Sequence, residues 1–270
     1  MTGQESRYDR IAEGYAAHWA PVHRAATLRL LDEVDPGRAS WGPRVADVGC
    51  GTGVLAVEAA ARWPAAQVEA TDISAGMLAV ASRTVAAAGP EGTRVRLTRA
   101  PADRLPFPDG SFDLALAAFV LQLVPSRPRA LREMRRVLKR GGRLAYVGWL
   151  AGDLPFAADA AWDAALDAAG IERESPGGHD DLASPAAAAA QLRAAGLSHV
   201  TARADRLTHQ FTPESYAAFV TRFDDGDLVL GLETEQRAAL TADLLDRLRQ
   251  LAPDALRLEL PIVYVSGVRR

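Results

Sequence analysis

The fold of this chain is decided by the stretch Val45-Ala46-Asp47-Val48-Gly49-Cys50-Gly51-Thr52-Gly53. Its first half, together with Arg44, is short and rich in apolar and β-branched residues, which predicts a buried strand. The glycines at alternate positions let the backbone turn sharply with positive φ and come close to a ligand. A helical stretch follows as far as Pro64, and its first backbone amides have no partner within the helix. The segment therefore predicts a strand, a glycine turn that binds a small polar molecule, and a helix.

Strand and helix patterns alternate after this turn. Strands are predicted at 44–48, 67–71, 93–98, 112–119 and 143–149, and again at 198–210 and 256–268. The helices between the first five strands are about 10 to 15 residues long, and Ser74 is placed to cap one of them. This alternation predicts an α/β protein with a mostly parallel sheet that is covered by helices on both faces. Ligands of such sheets bind at the carboxyl ends of the strands.

The composition excludes several classes of protein. The 270 residues carry 31 basic and 34 acidic side chains, a net charge of −3, and 49% of them are hydrophobic. The nearly balanced charge argues against binding to nucleic acid or anionic lipid. The longest apolar run, 114–121, is far shorter than the roughly 18 residues of a membrane span. The single cysteine, Cys50, permits no intramolecular disulfide, and the polar first residues resemble no export signal, so we expect a cytoplasmic protein.

A carboxylate lies at the end of the second predicted strand. Asp72 follows Gly53 by 19 residues, at a position where a carboxylate can accept hydrogen bonds from the two hydroxyls of a ribose. The plainer alternative is that Asp72 caps the following helix. The dinucleotide fingerprint requires glycine or alanine at position 54, where this chain has Val54. The ligand is therefore expected to carry a nucleoside, and Val54 disfavours a dinucleotide.

Four segments, taken in order, resemble the class I S-adenosylmethionine-dependent methyltransferases. They are VADVGCGTG (45–53), EATDISAGML (69–78), LPFPDGSFD (105–113) and EMRRVLKRGGRL (133–144). The likeness is greatest to the small-molecule group that includes the ubiquinone and menaquinone methyltransferases, and it covers residues 40–150. It implies a Rossmann-like, doubly wound, seven-stranded sheet and S-adenosyl-L-methionine as the cofactor. It also implies methyl transfer by in-line displacement to an oxygen, nitrogen or carbon atom of a small metabolite.

The resemblance implies cofactor contacts at Tyr15, Asp47, Gly49, Cys50, Gly51, Gly53, Asp72, Ile73, Met77, Ala102, Asp103, Ala118 and Phe119. The three glycines would line the methionine moiety, and Asp47 would orient the loop or hold the ammonium group through water. Asp72 would hold the ribose, with Ile73 and Met77 near the adenine.

The remaining contacts would come from loops and from the first helix. Ala102 would donate a hydrogen bond from its backbone amide to the adenine ring, and Asp103 would accept a hydrogen bond from the exocyclic amine of the adenine. Ala118 and Phe119 would approach the methionine amine and the sulfonium, while Tyr15 would fold over the cofactor. The family more often has aspartate or serine at the position of Pro101.

A general base is not assigned by the sequence. His18, Gln122 and His179 are candidates from their positions alone, although the family often has histidine where Gln122 stands. Cys50 lacks an identifiable basic partner, so it is not expected to act as a nucleophile. No metal ligands are expected.

We expect one methyltransferase domain over residues 1–270. Residues 8–34 are predicted to form a helical cap that is broken once at Pro21, ahead of a cofactor-binding core at 40–150. Residues 150–184 are read as a lid over the site, with a helix at 155–169 and a loop at 175–185. C-terminal strands and helices fill 185–270, with helices predicted at 186–195, 213–222 and 233–251.

Two other functions stay open. One is a non-catalytic S-adenosylmethionine-binding protein, which the departures at Pro101 and Gln122 permit. The other is a nucleotide-cofactor oxidoreductase, which Val54 disfavours. The expected partner is a small-molecule methyl acceptor, with no nucleic acid and no membrane span, and the oligomeric state is left open.

Overall fold

A computed structural model describes residues 3–35, 42–152, 154–173 and 181–270 of the chain. Seven strands form one sheet: β1 Arg44–Val48, β2 Gln67–Asp72, β3 Val95–Arg99, β4 Phe112–Ala118, β5 Leu138–Trp149, β6 Leu197–Gln210 and β7 Arg257–Arg269. Their order across the sheet is β3-β2-β1-β4-β5-β7-β6. The first five strands are parallel, and β7 runs antiparallel between β5 and β6. The prediction of a doubly wound, mostly parallel seven-stranded sheet is confirmed.

Ten α-helices surround this sheet in the described part of the chain: α1 Gly3–Gly14, α2 Ala20–Asp32, α3 Val54–Arg62, α4 Ala75–Ala87, α5 Arg127–Val137, α6 Ala157–Ala168, α7 Pro185–Ala194, α8 Pro213–Phe219, α9 Gly226–Leu230 and α10 Thr234–Arg249. Alternate residues of a strand point to opposite faces. In β4, Leu114 and Leu116 belong to one apolar core, and Ala115 and Ala117 to the other. Helices therefore cover both faces, as predicted.

The strand order reverses beside β1, because β2 pairs with one of its edges and β4 with the other. At such a reversal the connections leave in opposite directions and open a crevice at the carboxyl ends of the strands. The glycine turn at 49–53 follows β1 directly, so it lies at this crevice. The topology thus places the most informative segment of the sequence where ligands of α/β sheets bind.

The first helices differ from the prediction. Helix α1 starts at Gly3, before the expected residue 8, and the irregular segment between α1 and α2 is a wide π-turn at Tyr15–Trp19. Pro21 lies in the first turn of α2, where its missing N–H has no helical partner to lose. The prediction of a break at Pro21 is therefore wrong.

Smaller differences concern element bounds. Strand β5 begins at Leu138, earlier than the predicted 143, because Leu138 pairs with Phe112 ahead of a register shift, after which Arg143 pairs with Leu114. Helix α9 was not predicted, and most of the loop expected at 175–185 lies outside the described residues. None of the helices that the structure describes is long and apolar enough to cross a membrane.

Candidate functional site

A cavity of about 940 Å³ opens at the carboxyl ends of the parallel strands. Its lining includes Gly49 after β1, Asp72 at the end of β2, Ala118 at the end of β4 and Trp149 at the end of β5. Tyr15, from the π-turn, lines the same space. The volume matches that of pockets which enclose a small-molecule ligand.

The glycine turn is held open by hydrogen bonds to the neighbouring strand. The amides of Gly49 and Cys50 both donate to the carbonyl oxygen of Thr71, at 2.7 and 2.8 Å. Gly51 has φ +52°, and a Cβ atom placed on it would meet nothing within 4 Å. The turn therefore presents bare backbone to the cavity at Gly51, which is the close approach that the alternate glycines predict.

The other two glycines of the turn serve packing. A Cβ atom on Gly49 would lie 2.5 Å from the methyl carbons of Val120, so the β4 end can approach only a glycine. Gly53 starts α3 with φ +82°, and its Cβ position is 3.1 Å from the Cβ of Ala81 in α4. Gly53 does not line the cavity. It lets α3 and α4 pack closely behind the turn.

Asp72 joins the glycine turn to the start of α4. Its Oδ2 accepts a hydrogen bond from the amide of Gly51, and its Oδ1 accepts one from the amide of Ser74, both at 2.9 Å. Burial raises the pKa of Asp72 above its usual value, although these hydrogen bonds from backbone amides oppose the shift. The predicted side-chain cap of α4 is confirmed in Ser74, whose hydroxyl oxygen accepts a hydrogen bond from the amide of Met77. Asp72 lines the cavity, and each of its oxygens retains further acceptor capacity.

Asp47 is a buried carboxyl group beside the turn. It lines a second cavity of about 40 Å³, which shares Tyr15, Gly49 and Gly51 with the large one. Its Oδ2 is buried and has no hydrogen-bond partner in the described part of the chain. Burial, assisted by the charge of Asp72, raises the pKa of Asp47 to about 7. An unsatisfied carboxylate of this kind is stabilised by a cationic ligand group nearby.

Asp47 makes the stability of the folded chain depend on pH. Its folded pKa of about 7 lies above the ordinary value of 3.8, so the folded state binds the proton more tightly than the unfolded state. The free energy of unfolding should therefore fall by a few kcal/mol as pH rises from about 4 to about 7. Asp47→Asn removes this contribution, so urea unfolding across that window should show the variant gaining stability relative to the parent chain. A constant difference would contradict the assignment.

Tyr15 is bonded to a histidine that sequence reasoning missed. Its hydroxyl lies 2.7 Å from Nε2 of His23, and the His23 ring packs 5.0 Å from the ring of Phe119. Burial lowers the pKa of His23 to about 4, so the imidazole is neutral and shares a hydrogen bond with the tyrosine hydroxyl at Nε2. His23 thus fixes Tyr15 over the glycine turn. Its helical position on α2 carries no local signal of this contact.

The first helix is anchored to the start of α4. Oδ1 of Asp9 accepts hydrogen bonds from the hydroxyl of Ser74 at 2.6 Å and from the amide of Gly76 at 2.9 Å. A Cβ atom on Gly76 would lie 2.6 Å from the carbonyl oxygen of Asp9, so this contact needs a glycine. Helix α1 is therefore tied to the segment that follows Asp72.

The other expected cofactor residues lie along the same cavity. Ile73, Met77, Ala102 and Asp103 line it on the side of β2 and β3, and Ala118 and Phe119 line it at the end of β4. Phe119 has φ +56°, a strained value for a residue with a side chain, and its carbonyl oxygen accepts from Nε2 of Gln122 at 2.7 Å.

The candidate catalytic residues are not brought together. His18 does not line the cavity, and His179 lies outside the described residues. Gln122 lines the cavity but uses its amide to hold Phe119. Burial raises the pKa of Cys50, so its thiol stays protonated, which agrees with the expectation that it is no nucleophile. The described residues contain no group of side chains that could hold a metal ion.

Residues from the second half of the chain complete the cavity, and the sequence did not single them out. They are Trp149, Asp181, Phe223, Asp224 and Leu260. They come from separate segments without a common motif, so only the folded topology brings them together.

Residues 45–142 match the protein family described as "Methyltransferase domain". A demethylmenaquinone methyltransferase of Symbiobacterium thermophilum is 39% identical over 145 residues, 50% of this chain and 55% of that protein. The ubiquinone/menaquinone biosynthesis C-methyltransferase UbiE of Geobacter sulfurreducens is 42% identical over 107 residues, 39% of this chain and 41% of that protein. The chain spans about half the length of the curated relatives it matches.

Solved structures share the fold over almost the whole chain. YcgJ of Bacillus subtilis has a TM-score of 0.60 at 23% identity, covering 91% of this chain and 99% of that chain. The [4+2]-cyclase SpnF has a TM-score of 0.63 at 21% identity, covering 100% and 97%. At these identities the likeness concerns the fold alone.

Residues 45–142 of this protein therefore match a methyltransferase domain. This segment is similar to the ubiquinone and menaquinone methyltransferases, as the four sequence segments predicted.

Proposed function

We propose that the whole chain transfers a methyl group from S-adenosylmethionine to a small-molecule metabolite. The observation that carries this proposal is the glycine turn, which presents open backbone at Gly51 directly beside the carboxylate of Asp72. The family match of the core supports it. The cavity is large enough for a nucleoside and an acceptor side by side.

The residues present fit the cofactor. The space beside Gly51 would take the methionine moiety, and the unpartnered carboxyl oxygen of Asp47 would receive its ammonium group. Asp72 would hold the ribose hydroxyls with its remaining acceptor capacity. Ile73 and Met77 would pack against the adenine, with Ala102 and Asp103 at its polar edge. Tyr15, Ala118 and Phe119 would enclose the methionine end, while Cys50 and Gly53 would support the turn.

The chemistry requires alignment more than acid or base. The cofactor supplies a methyl group that its sulfonium already activates. The chain aligns the acceptor with that methyl group, and pre-alignment of reactants contributes up to about 7 to 11 kcal/mol. Tyr15, fixed by His23, and Trp19 close the cavity on the side of the first helices and keep water out.

We place the acceptor in the half of the cavity that the cap and the later segments build. In this division, residues 8–34 cover the site and residues 40–150 bind the cofactor. Residues 150–184 close over the acceptor, and residues 185–270 complete one domain over 1–270.

A cytoplasmic location agrees with the single cysteine, and a metabolite rather than a nucleic acid as partner agrees with the nearly balanced charge.

Calorimetry with three ligands tests the proposal. We expect S-adenosylmethionine and S-adenosylhomocysteine to bind and NADH not to bind, because Val54 replaces the third small residue of a dinucleotide site. Binding of NADH alone would overturn the proposal. A screen of metabolites for S-adenosylhomocysteine formation separates an enzyme from a binding protein. The screen is needed because one fold supports several chemistries, as the cyclase SpnF illustrates.

A further inference from the structure

Five aromatic side chains form one wall of the cavity. Trp149 lies 4.3 Å from Phe119 and 6.2 Å from Trp19 between ring centroids, and Tyr15 lies 6.1 Å from Phe223. All five side chains line the cavity, and we call them the aromatic wall. Aromatic faces carry partial negative charge and attract a cation placed over them, and they also pack against apolar groups.

Two carboxylates line the cavity beside the aromatic wall. Asp224 directly follows Phe223, and Asp181 precedes Leu182, whose amide donates to the carbonyl oxygen of Trp149 at 3.1 Å. Oδ1 of Asp181 is buried and has no hydrogen-bond partner among the described residues. The side chain of Asp224 is open to the cavity and forms no hydrogen bond or ion pair within the described chain. Both carboxylates are therefore free to receive a ligand.

The neighbouring carboxylates already have partners in the protein. Asp225 accepts from the indole of Trp162 at 2.6 Å and pairs with Arg173 at 3.1 Å. Asp103, at the nucleoside end of the cavity, lies 3.7 Å from Arg129. The unpaired state of Asp181 and Asp224 is thus a property of the acceptor side and not of every acid around the cavity.

The cavity is poor in positive charge. Arg7 is the single cationic side chain among the described residues that line it, and its guanidinium lies 6.0 Å from the ring centroid of Tyr8. No ion pair within the described chain joins Arg7 to Asp224. Desolvation and the nearby charges of Asp225 and Asp159 raise the pKa of Asp224 to about 6, against the opposing charges of Arg173 and Arg7. The group is ionised at neutral pH, and a bound cation would relieve the unfavourable surroundings of that charge.

We propose that the methyl acceptor carries an amine whose protonated nitrogen binds to Asp181 and Asp224 as an anchor and is not the methylated atom, while its apolar body packs on the aromatic wall. This inference rests on the proposed function in taking this side of the cavity as the acceptor site. Trp149, Asp181 and Asp224 lie outside residues 45–142, the segment that matches the methyltransferase family, so the substrates of the quinone relatives do not define this half.

Three probes of similar shape test the charge preference. Calorimetry on the complex with S-adenosylhomocysteine, at about pH 8 so that Asp224 is ionised, compares 2-phenylethylamine, 2-phenylethanol and 3-phenylpropionate. We expect the amine to bind at least about tenfold more tightly than the alcohol, because hydrogen bonds between charged groups exceed neutral ones, and the carboxylate to bind most weakly. Asp224→Asn and Asp181→Asn should each reduce the amine preference, and the double variant should abolish it.

Asp227→Asn is the matched control, because Asp227 is an exposed acid three residues beyond Asp224 and does not line the cavity. Three outcomes would overturn the inference. The alcohol or the carboxylate could bind as tightly as the amine or more tightly, all three probes could fail to bind, or the amine preference could survive in the double variant. The same titrations on the free protein keep the two proposals apart. If S-adenosylhomocysteine does not bind, the proposed function is contradicted. The titrations of the free protein with the three probes then still show whether the cavity prefers the amine.

Discussion

Gly51→Val is expected to abolish S-adenosylmethionine binding while the far-ultraviolet circular dichroism of the chain stays native. The position is open, with nothing within 4 Å of a Cβ atom, so a larger side chain has room there and occupies the space that we propose for the methionine moiety. The backbone cost of a β-branched residue at φ +52° is about 1 to 2 kcal/mol, which a folded domain tolerates. Calorimetry and a thermal melt measure the two effects separately.

Gly89→Val provides the matched control for that experiment. Gly89 has φ +60° and the same open surroundings, but it lies beyond the end of α4, away from the cavity. We expect the two variants to lose similar stability and only the Gly51 variant to lose binding. Retained binding in Gly51→Val would place the cofactor elsewhere, and lost binding in both variants would show that backbone strain alone explains the effect.

Asp72→Ala is expected to weaken S-adenosylmethionine binding by about 1.5 to 3 kcal/mol, roughly tenfold to a hundredfold. The substitution removes the carboxylate that we propose for the ribose hydroxyls, and it also releases the amides of Gly51 and Ser74. The second effect loosens the turn, so the loss should fall in the upper part of this range. Calorimetry with S-adenosylmethionine measures it.

Glu69→Ala on the same strand is the control for Asp72, since Glu69 does not line the cavity. Its affinity should match that of the parent chain. An unchanged affinity in Asp72→Ala would reject ribose binding and leave Asp72 with the structural role of bracing the turn.

The cofactor half of the site was predictable because its signals are local. Strand β1 has the predicted bounds, Arg44–Val48, since an apolar run ends at the first of three alternating glycines. Ser74 caps α4 as predicted, because a side-chain oxygen before a helix has few other roles. Glycines, caps and short strands are determined by neighbours in sequence, so a single chain is enough to recognise them.

The acceptor half was not predictable for the opposite reason. Asp181, Asp224 and Trp149 are distant in sequence and obey no spacing, and they meet only because the sheet and its covering helices place their segments around one cavity. The π-turn at Tyr15–Trp19 likewise carries no local signal, and Pro21 suggested a break in the wrong place. His23 was missed because its partner, Tyr15, is defined by that turn.

The antiparallel position of β7 between β5 and β6 has a consequence for biosynthesis. Until residues 257–269 emerge from the ribosome, β5 has no partner on one side and β6 has no neighbour to join it to the sheet. An unpaired edge of apolar residues such as Leu144 and Val147 invites pairing with another nascent chain. The sheet is closed by contacts that span more than a hundred residues, a feature of slow, late-completing folds. We therefore expect nascent chains truncated before β7 to aggregate and to require chaperones.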